Sequence, residues 1–220
     1  MRALSAGYVV LTRILKLVLL FGIFAAPAQA ETRVIAMLGD SLTQGFGLKV
    51  EDGLVPTLER WLHHHGADVR LINAGVSGDT TAGGAARIDW TLTPDVDGVV
   101  VALGANDMLR GLDPEDAIEN LAKILSVAQA KGVSTMLVGF PAPLNYGEDY
   151  KLIFDEGYAN LASKFSAVFV KDLIGPLQTP EGPNTDYLQS DLLHPNPKGV
   201  TLIVEQLGPR MMELLQNIQP

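Results

Sequence analysis

The chain has 220 residues, a formal net charge of −9 and no cysteine. Such an acidic balance repels phosphate, which argues against nucleic acid or anionic membrane as a standing partner. Without cysteine there is neither a disulfide framework nor a lipidated cysteine, so the fold must be held by its core alone.

Residues 1–30 read as an export leader: Arg2, Arg13 and Lys16 precede the apolar run 17–26, and Ala28-Gln29-Ala30 forms a small-x-small cleavage site. That run is about ten residues, half of what a spanning helix needs, so cleavage after Ala30 is expected rather than a stable membrane anchor. The destination is periplasmic or secreted. Cleavage removes three positive charges and no acid, taking −9 to −12, and leaves residues 31–220. That length suits a single domain that buries roughly 70% of its unfolded chain's surface. A monomer is favoured.

Five apolar runs follow, at 34–38, 69–73, 98–103, 134–140 and 167–171, each closed by Gly, Asn, Asp or Pro or their like. They are continuous rather than alternating, which fits strands covered on both faces. Helical spacing appears between them. Leu54, Leu58, Trp61 and Leu62 share one face; residues 81–92 form a shorter helix; Ala117, Leu121, Ile124, Leu125 and Ala128 share a third; 152–164 and 198–215 supply two more. Asp113-Pro114-Glu115 is a helix start with N-cap, N1 proline and early acid. Alternating strands and helices imply right-handed βαβ units, hence an α/β fold: a three-layer α/β/α domain on a five-stranded parallel sheet. The long irregular stretches 141–150 and 174–193 are expected to face substrate.

Polar clusters stand where the strands end. Asp40 and Ser41 follow the first run, Ser77-Gly78-Asp79-Thr80 the second, and Gly104-Ala105-Asn106-Asp107 the third; Asp191-Leu192-Leu193-His194-Pro195 lies near the C-terminus. Acyl transfer needs a nucleophile, a base, a group orienting the base, and donors aimed at the oxyanion. Ser41 is the candidate nucleophile, His194 the base and Asp191 its orienter. Gly78 and Ser41 can offer backbone N–H groups, and Asn106 its side-chain NH₂, to an oxyanion hole.

These blocks, Gly39-Asp40-Ser41-Leu42, Gly78, Gly104-Ala105-Asn106-Asp107 and Asp191-Leu192-Leu193-His194, make the chain resemble the SGNH hydrolases, also called GDSL esterases or lipases. Ser77-Gly78-Asp79-Thr80, Arg110-Gly111, Asn145-Tyr146-Gly147 and His194-Pro195-Asn196 are similar to the exported bacterial branch with thioesterase, lysophospholipase and arylesterase activity. The resemblance implies a flavodoxin-like sheet, no metal or organic cofactor, and hydrolysis of small acyl esters or thioesters, lysophospholipids among them, through an acyl-serine. It also implies Ser41, Gly78 and Asn106 as the oxyanion hole and Ser41, Asp191 and His194 as the triad. Pro143 and Leu144 depart from that branch by lengthening the link to Asn145, which bears on acyl-chain preference.

Other readings stand beside this one. The same triad would serve a carbohydrate acetylesterase, and the fold could persist in a noncatalytic exported binding module. Ser77 competes as nucleophile, but G-x-S-x-G would need glycine where Asp79 stands. Asp40 and Asp107 would suit a glycosidase carboxylate pair, but read better as braces of the adjacent loops. His63-His64-His65 suggests metal, yet consecutive helical side chains diverge by about 100°, and a polar helix end before Gly66 explains them better.

Overall fold

Burial along the first strand divides its side chains between two cores. Ile35 and Met37 pack into one, Val34, Ala36 and Leu38 into the other. The computed structural model describes residues 32–219; the expected leader and its cleavage site lie outside the described residues. In chain order the elements are β1 (Arg33–Gly39), α1 (Ser41–Gln44), α2 (Leu54–His64), β2 (Val69–Gly75), α3 (Thr81–Thr91), β3 (Gly98–Ala102), α4 (Ala105–Leu109), α5 (Pro114–Ala130), β4 (Ser134–Val138), α6 (Glu148–Lys164), β5 (Val168–Val170), the small hairpin β6 (Gln178–Thr179) and β7 (Gly182–Pro183), and α7 (Pro197–Asn217).

The five long strands form one parallel sheet in the order β2-β1-β3-β4-β5. On one face lie α2, through Leu54, Leu58 and Leu62, and α7, through Ile203, Leu207, Met211 and Leu214. On the other lie α3, α5 and α6, through Ile88, Leu121, Ile124, Leu125, Phe154 and Leu161. This is the three-layer α/β/α arrangement that continuous apolar strands demand, because each face of the sheet must be shielded from water. Among the described residues no helix is long and apolar enough to cross a membrane.

Strand order reverses between β1 and β3, the switch point at which open α/β sheets leave a crevice beyond the carboxyl ends. Register sharpens this: Gly39 is level with Gly75 on one side and with Ala102 on the other. The segments after β1, β2 and β3 therefore leave the sheet at one height. The strands differ from the sequence-based bounds at their ends. β2 runs on to Gly75 because it stays paired with β1, and β4 stops at Val138, before Phe140 turns into the crevice.

Candidate active site

Ser41 opens α1, a four-residue helix that the sequence pattern does not foretell. Asp40 starts it: its Oδ1 accepts the Leu42 N–H at 3.0 Å, and Gly45 closes it in the left-handed region. The helix lies so close to β2 that a Cβ on Gly75 would run into the Gln44 backbone, so glycine is required there.

His194 reaches Ser41 through a loop of its own making. Asp191 Oδ1 accepts the N–H groups of Leu193 and His194, both at 3.0 Å, which folds residues 191–194 into a tight Asx turn. Gln189 then fastens the loop to the rim, its Nε2 donating to the Phe46 carbonyl at 2.8 Å and the Pro195 carbonyl at 3.0 Å. The free carboxylate oxygen of Asp191 lies 2.7 Å from His194 Nδ1, and His194 Nε2 lies 2.8 Å from Ser41 Oγ. A carboxylate only accepts, so Nδ1 carries the ring proton and Nε2 presents a lone pair to the serine hydroxyl. Asp191 is held well below the usual carboxylate range, at about 2, first by the His194 backbone N–H, then by the bond to the His194 ring and by the Leu193 N–H. It is ionised wherever the protein is folded at ordinary pH.

Gly78 and Asn106 line the same cavity as Ser41 and His194, a cleft of about 390 Å³. Gly78 is third in a turn closed by the Asp79 N–H donating to the Val76 carbonyl at 3.0 Å. Its φ of +77° is one that glycine adopts without strain. Its own N–H takes no part in that closure. Arg110 donates to the Gly78 carbonyl at 2.6 Å. Arg87 clamps the rim by donating to Asp79 Oδ2 at 2.8 Å, the Ala74 carbonyl at 2.7 Å and the Gly39 carbonyl at 3.0 Å. One guanidinium thus ties the ends of β1 and β2 to the turn that carries Gly78. Beyond Asp40 and Ser77 the remaining walls are apolar, with Leu42, Phe46, Met108, Leu109, Phe140 and Ile174 among them. A larger concavity of about 660 Å³, with Asp97 and Ser134 in its lining, opens where β3 and β4 begin, at the opposite edge of the sheet from Ser41.

Asp40 is 1% exposed, and burial pushes its carboxyl up to about 6, against the Leu42 N–H and the His194 charge, which pull it down. Because the folded value lies above the ordinary 3.8, the stability it contributes is complete below that value and is lost as pH rises through about 6. Asparagine caps a helix as well as aspartate does and carries no charge to bury. Asp40→Asn is therefore expected to gain stability over the parent at pH 7.5, by on the order of 3 kcal/mol, and to show no such gain at pH 4. Thermal unfolding of both proteins at the two pH values measures this; an equal difference in Tm at both would sink it.

The other singled-out residues have local partners. Ser77 Oγ is bonded to Gln44 Oε1 rather than to an imidazole. Asp107, 2% exposed, braces α3 by accepting from Thr81 Oγ1 at 2.6 Å and Thr81 N–H at 2.9 Å. His63 and His65 of the 63–65 run turn to different partners: His63 Nε2 lies 2.7 Å from the Val69 carbonyl, while His65 stacks on Trp61 with ring centroids 3.6 Å apart. Residues that the sequence reading missed include Arg87 and the lining residues Phe46 and Phe140, whereas Ile174 opens the 174–193 stretch expected to face substrate. Phe46 tilts over His194 at 4.7 Å between centroids.

Comparison with known proteins gives this geometry a lineage. The model of the GDSL-like Lipase/Acylhydrolase family matches residues 37–202. An arylesterase of Vibrio mimicus is 34% identical over 206 residues, covering 92% of this chain and 99% of that relative. Esterase TesA of Pseudomonas aeruginosa is 33% identical over 188 residues, covering 85% and 92%. Among solved structures, the psychrotrophic esterase EstA of Pseudoalteromonas sp., inhibited by monoethylphosphonate, superposes with a TM-score of 0.76 at 31% identity, covering 84% of this chain and all of that one. With a family match spanning most of the described residues and relatives alike over nearly their whole lengths, the chain belongs to the GDSL-like lipase/acylhydrolases, the SGNH hydrolases.

Proposed function

We propose that the chain hydrolyses carboxylic esters and thioesters of apolar acyl groups through an acyl-serine at Ser41. The observation that carries this reading is the continuous relay from Asp191 through His194 to Ser41, with contacts of 2.7 and 2.8 Å, opening on an apolar cleft. Ser41 Oγ attacks the acyl carbonyl as its proton passes to His194 Nε2. The oxygen that gains charge is held by the N–H groups of Ser41 and Gly78 and by Asn106 Nδ2. Collapse breaks the bond to the alcohol or thiol, which takes the proton from His194. Water then attacks the acyl-serine with His194 again as base, and the acid leaves. The walls at Phe46, Met108, Leu109, Phe140 and Ile174 favour an acyl chain or aromatic ring over a sugar.

A fluorophosphonate is expected to label the protein at Ser41 and to leave Ser41→Ala unlabelled; equal labelling of both would overturn the assignment. Across p-nitrophenyl esters from acetyl upward, each methylene that enters the cleft is worth about 0.8 kcal/mol, so kcat/KM should climb about fourfold per carbon until the cleft is full. Strict preference for acetylated sugars would contradict an acyl site. We also propose export, with cleavage after Ala30, which the mass of the mature protein tests. Coenzyme A thioesters belong to the cytosol, so outside it lysophospholipids and short esters are the fitting substrates, and thioester cleavage is a capacity of the site.

A further inference from the structure

Asp40 neighbours the nucleophile in sequence, yet its carboxylate is bonded elsewhere. Oδ1 caps α1 at Leu42, and Oδ2 accepts from Asn106 Nδ2 at 3.2 Å. Both partners are neutral, and the group is almost fully buried, which is a costly place for a charge. Capping does not explain the choice of residue, because serine and asparagine cap as well and bury no charge. What a carboxylate has that they lack is that it only accepts.

We propose that Asp40 is a positioning residue: its acceptor-only carboxylate fixes which end of the Asn106 amide meets it, and so keeps Nδ2 available to the oxyanion. This rests on the reading of Asn106 as an oxyanion donor. The two ends of a side-chain amide are almost the same shape, so packing does not distinguish them, and only their hydrogen-bond partners do. Facing a carboxylate, the amide must present its NH₂, one N–H going to Asp40 and leaving the other for the cleft. Facing a group that can donate, such as an amide or a protonated acid at position 40, Asn106 can turn its oxygen inward instead, and the donor is lost. The device is therefore sensitive to pH. The titratable groups acting on Asp40 are His194 and Asp79, with the Tyr158 hydroxyl also in its field, and the Arg87 guanidinium binds the carbonyl of the preceding Gly39. Burial places the carboxyl's titration at about 6. Below that pH the neutral acid no longer enforces the amide's orientation.

Steady-state kinetics on an aryl ester at pH 8 with Asp40→Asn, Asn106→Ala and the double variant test this. Asn106→Ala should lose about 10²- to 10³-fold in kcat, as removal of an oxyanion donor does. Asp40→Asn should lose about 10²-fold in kcat with KM within about twofold, and the double variant should match Asn106→Ala alone, since Asp40 acts through Asn106. A loss in the double variant equal to the product of the single losses overturns the proposal. So does an Asp40→Asn kcat within about twofold of the parent while Asn106→Ala is impaired, which leaves the oxyanion role of Asn106 standing. A fully active Asn106→Ala removes that role and the Asp40 proposal with it. A second measurement needs no change at position 40: in ¹⁵N-labelled His194→Ala, where the imidazole is gone, the Asn106 side-chain amide resonances should follow the titration of the Asp40 carboxyl. Amide signals that ignore it overturn the proposal.

Discussion

Ser41→Ala is expected to fold like the parent and to lose about 10⁶-fold in kcat on an aryl ester, with His194→Ala losing a similar factor. The reason lies in the 2.8 Å contact between Ser41 Oγ and His194 Nε2. In the proposed mechanism, attack on the carbonyl and removal of the serine proton belong to one step, so either partner alone would be nearly useless, and the double variant should be little worse than the singles. Fold should survive because the Ser41 hydroxyl makes no structural bond beyond that contact, and α1 is capped by Asp40 and Gly45 through groups that alanine leaves intact. A residual rate of about 10³- to 10⁴-fold over water should remain, since the proposed oxyanion donors would still polarise a bound ester. Single-turnover rates on p-nitrophenyl butyrate measure both factors. A Ser41→Ala rate within tenfold of the parent would mean that the hydroxyl is not the attacking group.

Much of this site could be read from the chain because its parts are locally encoded. Asp40 and Ser41 follow at once on an apolar run, and in a sheet covered on both faces such a run must end at the rim. The three-residue spacing of Asp191 and His194 is an Asx turn that a single carboxylate closes by itself. What did not show in the sequence is tertiary. The level ends of Gly39, Gly75 and Ala102 come from strand register, which runs of valine and leucine do not specify. Helices α1 and α4 span four and five residues, too short for a period of 3.6 to appear. Arg87 reads as one more surface charge on a helix; its reach to three acceptors exists only once β1, β2 and the Gly78 turn are assembled. Phe46 and Phe140 stand in loops, where no repeat marks a residue as lining a cleft. The contact of Ser41 with His194, 153 residues away, has no local signature; only the chemistry of the polar clusters and the family's blocks point to it.

Asp191→Asn should lower kcat by about 10³- to 10⁴-fold, and by more than Asp191→Ala does, because the asparagine inverts the tautomer of His194 while alanine merely leaves it unheld. The Asx turn dictates this order. Two backbone donors, Leu193 N–H and His194 N–H, converge on one oxygen of residue 191. An amide at that position must give them its oxygen, since its NH₂ would set donor against donor, and the NH₂ is then turned to His194 Nδ1. Nδ1 becomes the acceptor, the ring proton moves to Nε2, and the base meets Ser41 with a proton where it needs a lone pair. With alanine, water can reach the ring, because the Asp191 side chain is 38% exposed, and can accept from Nδ1, so the productive tautomer persists in part. The parent carboxylate, held at about 2 by those same N–H groups, stays ionised throughout the working range, so any acid limb in the parent's rate belongs to other groups. The ¹⁵N shifts of the His194 ring would show the proton on Nδ1 in the parent and on Nε2 in Asp191→Asn. If Asp191→Ala proved the slower enzyme, the carboxylate's main contribution would be to build the turn, and the tautomer argument would fail.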